Sequence, residues 1–318
     1  MGHEYKEVNG HVCELVEWHS IQKHEFLKHY LNIWKNQVGK NKPKFTPSLD
    51  IIDLYASWGW CYCEKNDKSW PGTALLAAEC LDKYENGRLL FLNTYHENDE
   101  TLKLQKQNLI QSLKKYNVKN MITTLPIEEA VNEALKVANM NFPTLWLLDP
   151  HGPKQLPWTV VEKICSVEKI YTDKNGYERS RRPEVLISLM TSSLQREIHN
   201  KVLICNSLGI NEIKWQELEN RAEKNNTREV LVGAYIDCMS KFYEKAPIIF
   251  KVRGTPGNIV YTLLLFTDSP AGNYVTKLQK IPEMEKWLEI DWSKDAKEIE
   301  AKRKLQPGQR SLFCFEQE

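Results

Sequence analysis

Leu49-Asp50-Ile51-Ile52-Asp53-Leu54-Tyr55, running into Ala56-Ser57-Trp58-Gly59-Trp60, decides how this chain is read. The first seven residues are short and apolar enough for a buried strand. The next five make a turn of mostly small residues. A polar loop through Asp67 and Pro71 follows, and then Gly72-Thr73-Ala74-Leu75-Leu76-Ala77-Ala78-Glu79-Cys80-Leu81 reads as an Ala/Leu-rich helix. The unit is strand, loop, helix.

The alternation continues outward. Strands are expected at 88–93, 118–122, 144–148 and 184–190, and helices at 99–115, 126–138 and 157–165. Pro126 suits a first helical turn. This β-α-β-α-β-α-β-α-β order specifies a parallel sheet with helices on both faces. Residues 193–246 read as mostly helical and charge-balanced. Strand runs at 248–252 and 259–266 flank Arg253-Gly254-Thr255-Pro256-Gly257-Asn258, a loop of hairpin composition. Such a hairpin puts an antiparallel strand in or at the edge of the sheet. Short helices are expected at 274–280 and 294–304. Upstream, Ser20 to Trp34 reads as a helix with Leu27, Tyr30, Leu31 and Trp34 on one face.

The whole, 1–318, is expected to be a single enlarged domain. Its parts are an N-terminal helical segment at 20–44, a core at 48–190, a helical insertion at 191–246, a final hairpin and helix at 247–285, and a tail at 286–318. Hydrophobic residues make up 42% and charged residues 27%, ordinary globular usage that excludes disorder and fibrous repeats. A net charge of +1 excludes a generally basic coat protein but not a local basic patch. No apolar run approaches the ~20 residues that span a bilayer, and Met1 to Leu15 resembles neither a secretory signal nor a myristoylation site. The expected location is cytoplasmic, with no membrane partner. Cys61 and Cys63 lack the further Cys or His pair a zinc site needs, so no metal is expected and the two are read as thiols on a loop.

In an open α/β sheet, ligands bind at the carboxyl ends of the strands. Three groups fall there: Asp53 to Gly59, Asn93 with Tyr95, and Asp149-Pro150-His151-Gly152. Amides of a small-residue turn can face a ligand. A strand of Leu and Trp ending in Asp-Pro gives a rigid, desolvated carboxylate. The plainer alternatives are an Asp-Pro pair that only starts a turn and Asp53 as a satisfied buried acid. No Gly-x-Gly-x-x-Gly occurs, which disfavours a nicotinamide dehydrogenase.

Taken in order, these residues resemble the three-Cys-motif partner family. The similar stretches are Lys23-His24-x-x-Leu27-x-x-Tyr30-Leu31-x-x-Trp34, Asp53-Leu54-Tyr55-Ala56-Ser57-Trp58-Gly59, Gly72-Thr73-Ala74-Leu75, Leu148-Asp149-Pro150-His151-Gly152, Pro183 to Ser188 and Tyr261 to Thr267. The resemblance covers about 20–285. It implies a class I methyltransferase-like Rossmann fold with S-adenosylmethionine (SAM) as cofactor. It implies as partner a radical-SAM-like protein, which carries the three cysteines of the family's name. The first loop and the Asp-Pro turn also look like motifs of nucleic-acid amino-methyltransferases. On that likeness Asp53, Tyr55, Ser57, Gly59 and Asn93 would hold SAM. Asp149 and Pro150 would orient an exocyclic amine of a base, and His151 would stack or shuttle a proton.

Four departures bear on this. Ser57 stands where the loop's first glycine is expected and Trp58 where a proline is usual. Asn93 stands where an acid would bind ribose, and His151 replaces an aromatic. Two functions therefore stay open: a SAM-dependent methyltransferase, or a non-catalytic fold of that type that binds a nucleotide or another protein. Nucleic acid, if a partner, would meet the lysines of 23–44 and the cluster Lys169, Lys174, Arg179, Arg181 and Arg182.

Overall fold

The computed structural model describes residues 5–40, 49–82, 84, 88–138, 143–172, 176, 178–254 and 259–268. In chain order the elements are β1 (Tyr5–Val8), β2 (His11–Leu15), α1 (Ser20–Lys40), β3 (Leu49–Asp53), β4 (Trp60–Cys63), β5 (Lys68–Pro71), α2 (Thr73–Asp82), β6 (Arg88–Asn93), α3 (Asp99–Leu113), β7 (Asn120–Thr123) and α4 (Ile127–Val137). Then follow β8 (Thr144–Leu148), α5 (Trp158–Cys165), β9 (Lys169–Thr172), β10 (Glu178–Arg181), β11 (Glu184–Leu189), α6 (Thr191–Arg196), α7 (Lys201–Leu208), α8 (Glu212–Lys224), α9 (Thr227–Met239), β12 (Ile248–Arg253) and β13 (Ile259–Phe266).

Seven strands form the main sheet in the order β12-β13-β11-β8-β3-β6-β7. β3, β6, β7, β8 and β11 run parallel, and β13 is antiparallel to both of its neighbours. The expected α/β fold with a mostly parallel sheet and a terminal hairpin is thus present. Every residue of β3, β8 and β11 is buried, as central parallel strands require. Ile51 faces a core with α1, α2 and α3, while its neighbour Ile52 faces one with α4, α5 and the helices α6 to α9. The segment after β11 is therefore a cover for one face of the sheet. Leu194, Ile204, Leu208, Leu231 and Tyr235 pack there.

Three hairpins depart from the sequence reading. The polar loop after Trp60 is the antiparallel pair β4–β5, so Cys61 and Cys63 are buried strand residues. β1–β2 turns at Asn9-Gly10, both with positive φ, an Asn-Gly signal that marks a two-residue hairpin. β2 then pairs in parallel with β4, giving a small four-stranded sheet, β1-β2-β4-β5. β9–β10 is a third hairpin, in the stretch read as a basic cluster. The helices expected at 274–280 and 294–304, the tail, Lys42, Lys44 and Lys174 lie outside the described residues, as does the side chain of Arg179. Among the described residues no helix is long and apolar enough to cross a membrane.

Candidate functional site

Strand register aligns the carboxyl ends. Asp53 stands opposite Leu92 of β6 and Leu147 of β8, so the loops after these three strands leave the sheet at one edge. β13 runs the other way, which brings its beginning to the same edge: Thr262 pairs with Leu189, near the end of β11. Tyr261 therefore joins the site although it lies 112 residues beyond Asp149 in the chain.

Asp53 is wholly buried. Its carboxylate accepts from the Tyr55 amide (2.9 Å) and from the Thr73 hydroxyl (2.6 Å), tying the turn after β3 to the start of α2. Burial pushes its pKa up to about 7 against the pull of those two hydrogen bonds. It is a satisfied buried acid that orders the turn and lines neither cleft described below. Within the turn, Ser57 has φ +47° and Gly59 φ +80°. The turn thus needs the left-handed conformation that favours glycine. At Ser57 the hydroxyl donates to Glu14 of β2 (2.7 Å). A Cβ on Gly59 would come within 3.0 Å of Leu109. Asn93 accepts the Ala56 amide on its backbone carbonyl (2.9 Å). Its side-chain oxygen accepts from Thr123 and the Leu125 amide, and its side-chain nitrogen donates to the Leu125 carbonyl. Its amide group is spent on the β7–α4 connection.

Asp149 pairs with Lys23 of α1, and the Ser188 side chain close by also favours its charged form. Burial opposes ionisation of Asp149, but the Lys23 ammonium outweighs it and holds the carboxyl below its usual range. Lys23 is likewise raised: burial would lower it, and Asp149 overrides that. Lys23 is therefore a cleft residue, not one of the surface lysines of the first helix. Pro150 is buried and His151 exposed. The His151 amide donates to the Gln155 side chain (2.7 Å), and its Nδ1 stands 3.5 Å from Glu14. Tyr55 donates its hydroxyl to the Gln155 carbonyl (2.6 Å), joining the first turn to the Asp-Pro turn.

Two clefts open at this edge. The larger, about 480 Å³, is walled by the turn at Leu54, Tyr55 and Ser57, by Asn93 and Tyr95, and by Glu128. The smaller, about 240 Å³, contains Glu14, Lys23, Gly59, Asp149 and Tyr261. They share Tyr55, Ser57 and His151. The larger cleft is lined by Glu97 and Glu128 against the single Lys154 among the described residues. In the smaller, Glu14, Glu17 and Asp149 outnumber Lys23, its single Lys or Arg among the described residues. His19 and His24 there add no charge at neutral pH. Burial, helped by Lys23, pulls His19 down to about 4 and His24 to about 3. His24 also accepts the Trp70 indole N–H on Nδ1 (2.7 Å), which needs a free lone pair.

Sequence reasoning missed Glu14, Tyr261 and the inward placement of Lys23. The Asn9-Gly10 turn could have revealed the strand that carries Glu14. For Tyr261 there was no local signal. In the second basic stretch, Arg182 is engaged by Glu168 (2.9 Å) and the Cys165 carbonyl (3.1 Å). Among the described residues no group of His, Cys, Asp and Glu could hold a metal.

No protein-family model matches this chain, and no curated protein does. Among solved structures it is similar to protein LPL1258 from Legionella pneumophila str. Philadelphia 1, of family DUF519. The identity is 12% and the TM-score 0.48, over 83% of this chain and 89% of that one.

Proposed function

We propose that this protein is a class I methyltransferase-like, SAM-dependent enzyme that acts on an exocyclic amine of a nucleobase. The observation that carries the reading is the junction of the two clefts at Tyr55, Ser57 and His151. A group donated from the larger cleft would meet a target amine in the smaller one there. The sheet order supports it. Numbered by appearance in the main sheet, the strands run 3-2-1-4-5-7-6, with an antiparallel seventh inserted beside the fifth. Dinucleotide-binding sheets share the first five positions but not that insertion.

The larger cleft suits SAM. Its volume is in the range of small-molecule sites. Its acidic balance complements a cofactor of net positive charge. Tyr55, Ser57 and the wall at Asn93 would hold it, with Glu97 or Glu128 taking the hydroxyl role that the engaged Asn93 amide does not fill. When bound, SAM supplies an electrophilic methyl group.

The chain's own groups do the rest. Asp149, kept ionised by Lys23, is a poor base and a good hydrogen-bond acceptor. It would orient the amine without deprotonating it. His151, beside Glu14 at the junction, is placed to take the proton the amine must lose.

A second reading, a non-catalytic protein of this fold that works with a three-Cys-motif partner, is favoured by one feature. Ser57 and Asn93, both departures from the family pattern, spend their side chains on internal hydrogen bonds. Calorimetry with SAM and its demethylated product S-adenosylhomocysteine (SAH), together with labelled-methyl transfer to RNA and DNA, separates the two. Binding of both cofactors with transfer to nucleic acid is expected. Failure of both to bind sinks the enzyme reading.

A further inference from the structure

Tyr261 stands at the start of β13, lines the smaller cleft and is 5% exposed. Its hydroxyl has no hydrogen-bond partner among the described residues; Ser20 is close by but not in hydrogen-bonding geometry. A buried hydroxyl left unpaired is a cost that folded proteins rarely keep without a use. Around it the cleft offers mostly acceptors. Asp149 and Glu14 are carboxylates, and the Lys23 ammonium, 5.7 Å from the Tyr261 ring centroid, is already committed to Asp149. His19 packs edge-on against the ring, with centroids 5.7 Å apart.

We infer that Tyr261 is a substrate contact, donating its hydroxyl to an unprotonated ring nitrogen that adjoins the target amine, so that the smaller cleft selects an amino-substituted heteroaromatic ring over its keto counterpart. The carboxylates take the amine's N–H groups and Tyr261 supplies the complementary donor. Adenine and cytosine present this donor-next-to-acceptor edge. Hypoxanthine and uracil present the reverse, a carbonyl beside a ring N–H, and would leave the carboxylates and Tyr261 facing the wrong partners. The acidic lining also keeps phosphates outside, so recognition falls on the ring. This inference rests on the amine-transfer reading and narrows its substrate.

The test measures binding of adenosine, cytidine, inosine and uridine to the full chain and to Tyr261→Phe by ligand-observed NMR, with and without excess SAH. SAH binding is measured separately. At least one amino nucleoside should bind about tenfold more tightly than its keto counterpart and survive SAH saturation. It should weaken at least fivefold in Tyr261→Phe, with the keto nucleosides unchanged. Tyr261→Phe should also raise the thermal midpoint, because it removes an unpaired buried hydroxyl; a purely structural hydroxyl would lower it. Equal binding of amino and keto rings, no loss in Tyr261→Phe, complete displacement by SAH, or no nucleoside binding would each overturn the inference. Discrimination without any SAH binding would keep the inference and discard the transferase reading.

Discussion

The Ser57 hydroxyl donates to the Glu14 carboxylate at 2.7 Å, so a strand of the small N-terminal sheet holds the turn that follows the first strand of the main one. Ser57 needs that hold. A non-glycine residue with positive φ costs of order 1–3 kcal/mol unless its surroundings fix it. The other two such residues among those described, Asn9 and Asp67, are of types that tolerate the left-handed region and sit in hairpin turns. Substitution at Ser57 should therefore follow an unusual order. Ser57→Ala keeps the strain and loses a hydrogen bond to a charged group, costing about 2 kcal/mol. Ser57→Gly loses the bond but relieves the strain, and should stay within about 1 kcal/mol of the parent. Urea denaturation of both variants checks this, and a Gly variant weaker than the Ala variant would show that the strain is not real.

Lys23 and Asp149 should behave as a unit. Lys23→Met leaves a mostly buried carboxylate without its counter-ion and should cost roughly 3 kcal/mol, more than Lys23→Met combined with Asp149→Asn. The pH dependence has a definite sign. Asp149 is held below its unfolded range, so its contribution is present above about pH 4 and fades as pH falls through the folded value. In Lys23→Met the Asp149 pKa should rise instead, and stability should decline as pH climbs through the carboxylate range. Additive losses in a double-mutant cycle would count against the pairing.

If transfer occurs, Asp149→Ala should lower it on the order of a hundredfold while leaving SAM affinity nearly unchanged, since Asp149 lies in the smaller cleft and not among the walls of the larger. Calorimetry and single-turnover transfer on the same preparation make the comparison. An active Asp149→Ala protein would remove the amine-orienting role.

Asp53 and His24 should tilt the stability curve in opposite directions. Asp53, raised to about 7, binds its proton more tightly folded than unfolded, so its contribution falls as pH rises from about 4 to 7. His24, lowered to about 3, is protonated more readily when unfolded, so its contribution is lost as pH falls below about 6.5. Asp53→Asn should make stability rise more steeply over this range than in the parent, and His24→Gln, which keeps an acceptor for Trp70, should make it rise less. Denaturation midpoints at pH 4.5, 6 and 7.5 would expose a wrong sign in either.

Gly209 ends α7 at φ +69°, and a Cβ there would lie 2.2 Å from the Trp158 indole of α5. Backbone strain and collision add, so Gly209→Ala should cost at least about 3 kcal/mol and loosen the helices that cover one face of the sheet. Amide exchange in α7 and α8 should rise together. An unchanged exchange pattern would mean that these helices do not depend on that contact.

Among the described side chains, the nucleic-acid contacts expected at the first helix fall to Lys28 and Lys35, since Lys23 faces inward. Replacing these two and Arg181 with Gln should flatten the salt dependence of any RNA or DNA binding, by roughly 0.9 in log–log slope per lost duplex phosphate contact. No change in slope would move the contact surface elsewhere.

Local pattern alone determined much of this protein. The apolar runs at 49–53, 88–93, 144–148 and 184–189, alternating with helical periodicity, specify a parallel sheet, because each strand must bury both faces and each helix one. The hairpin at 248–266 was legible for the same reason, and so was the clustering of the turn at 54–59, Asn93 and the Asp-Pro turn at one edge. What tertiary structure decided were the meetings of distant polar residues: Glu14 with Ser57, Lys23 with Asp149, Tyr261 with the smaller cleft. β2 and β4 pair in parallel across some 45 residues, and β13 enters between β11 and β12. Hydrophobic periodicity reports which face of an element is buried, not which strand lies beside it. A lone acid, lysine or tyrosine has no period at all, so its role is set by the charge or hydroxyl that the completed sheet brings within reach.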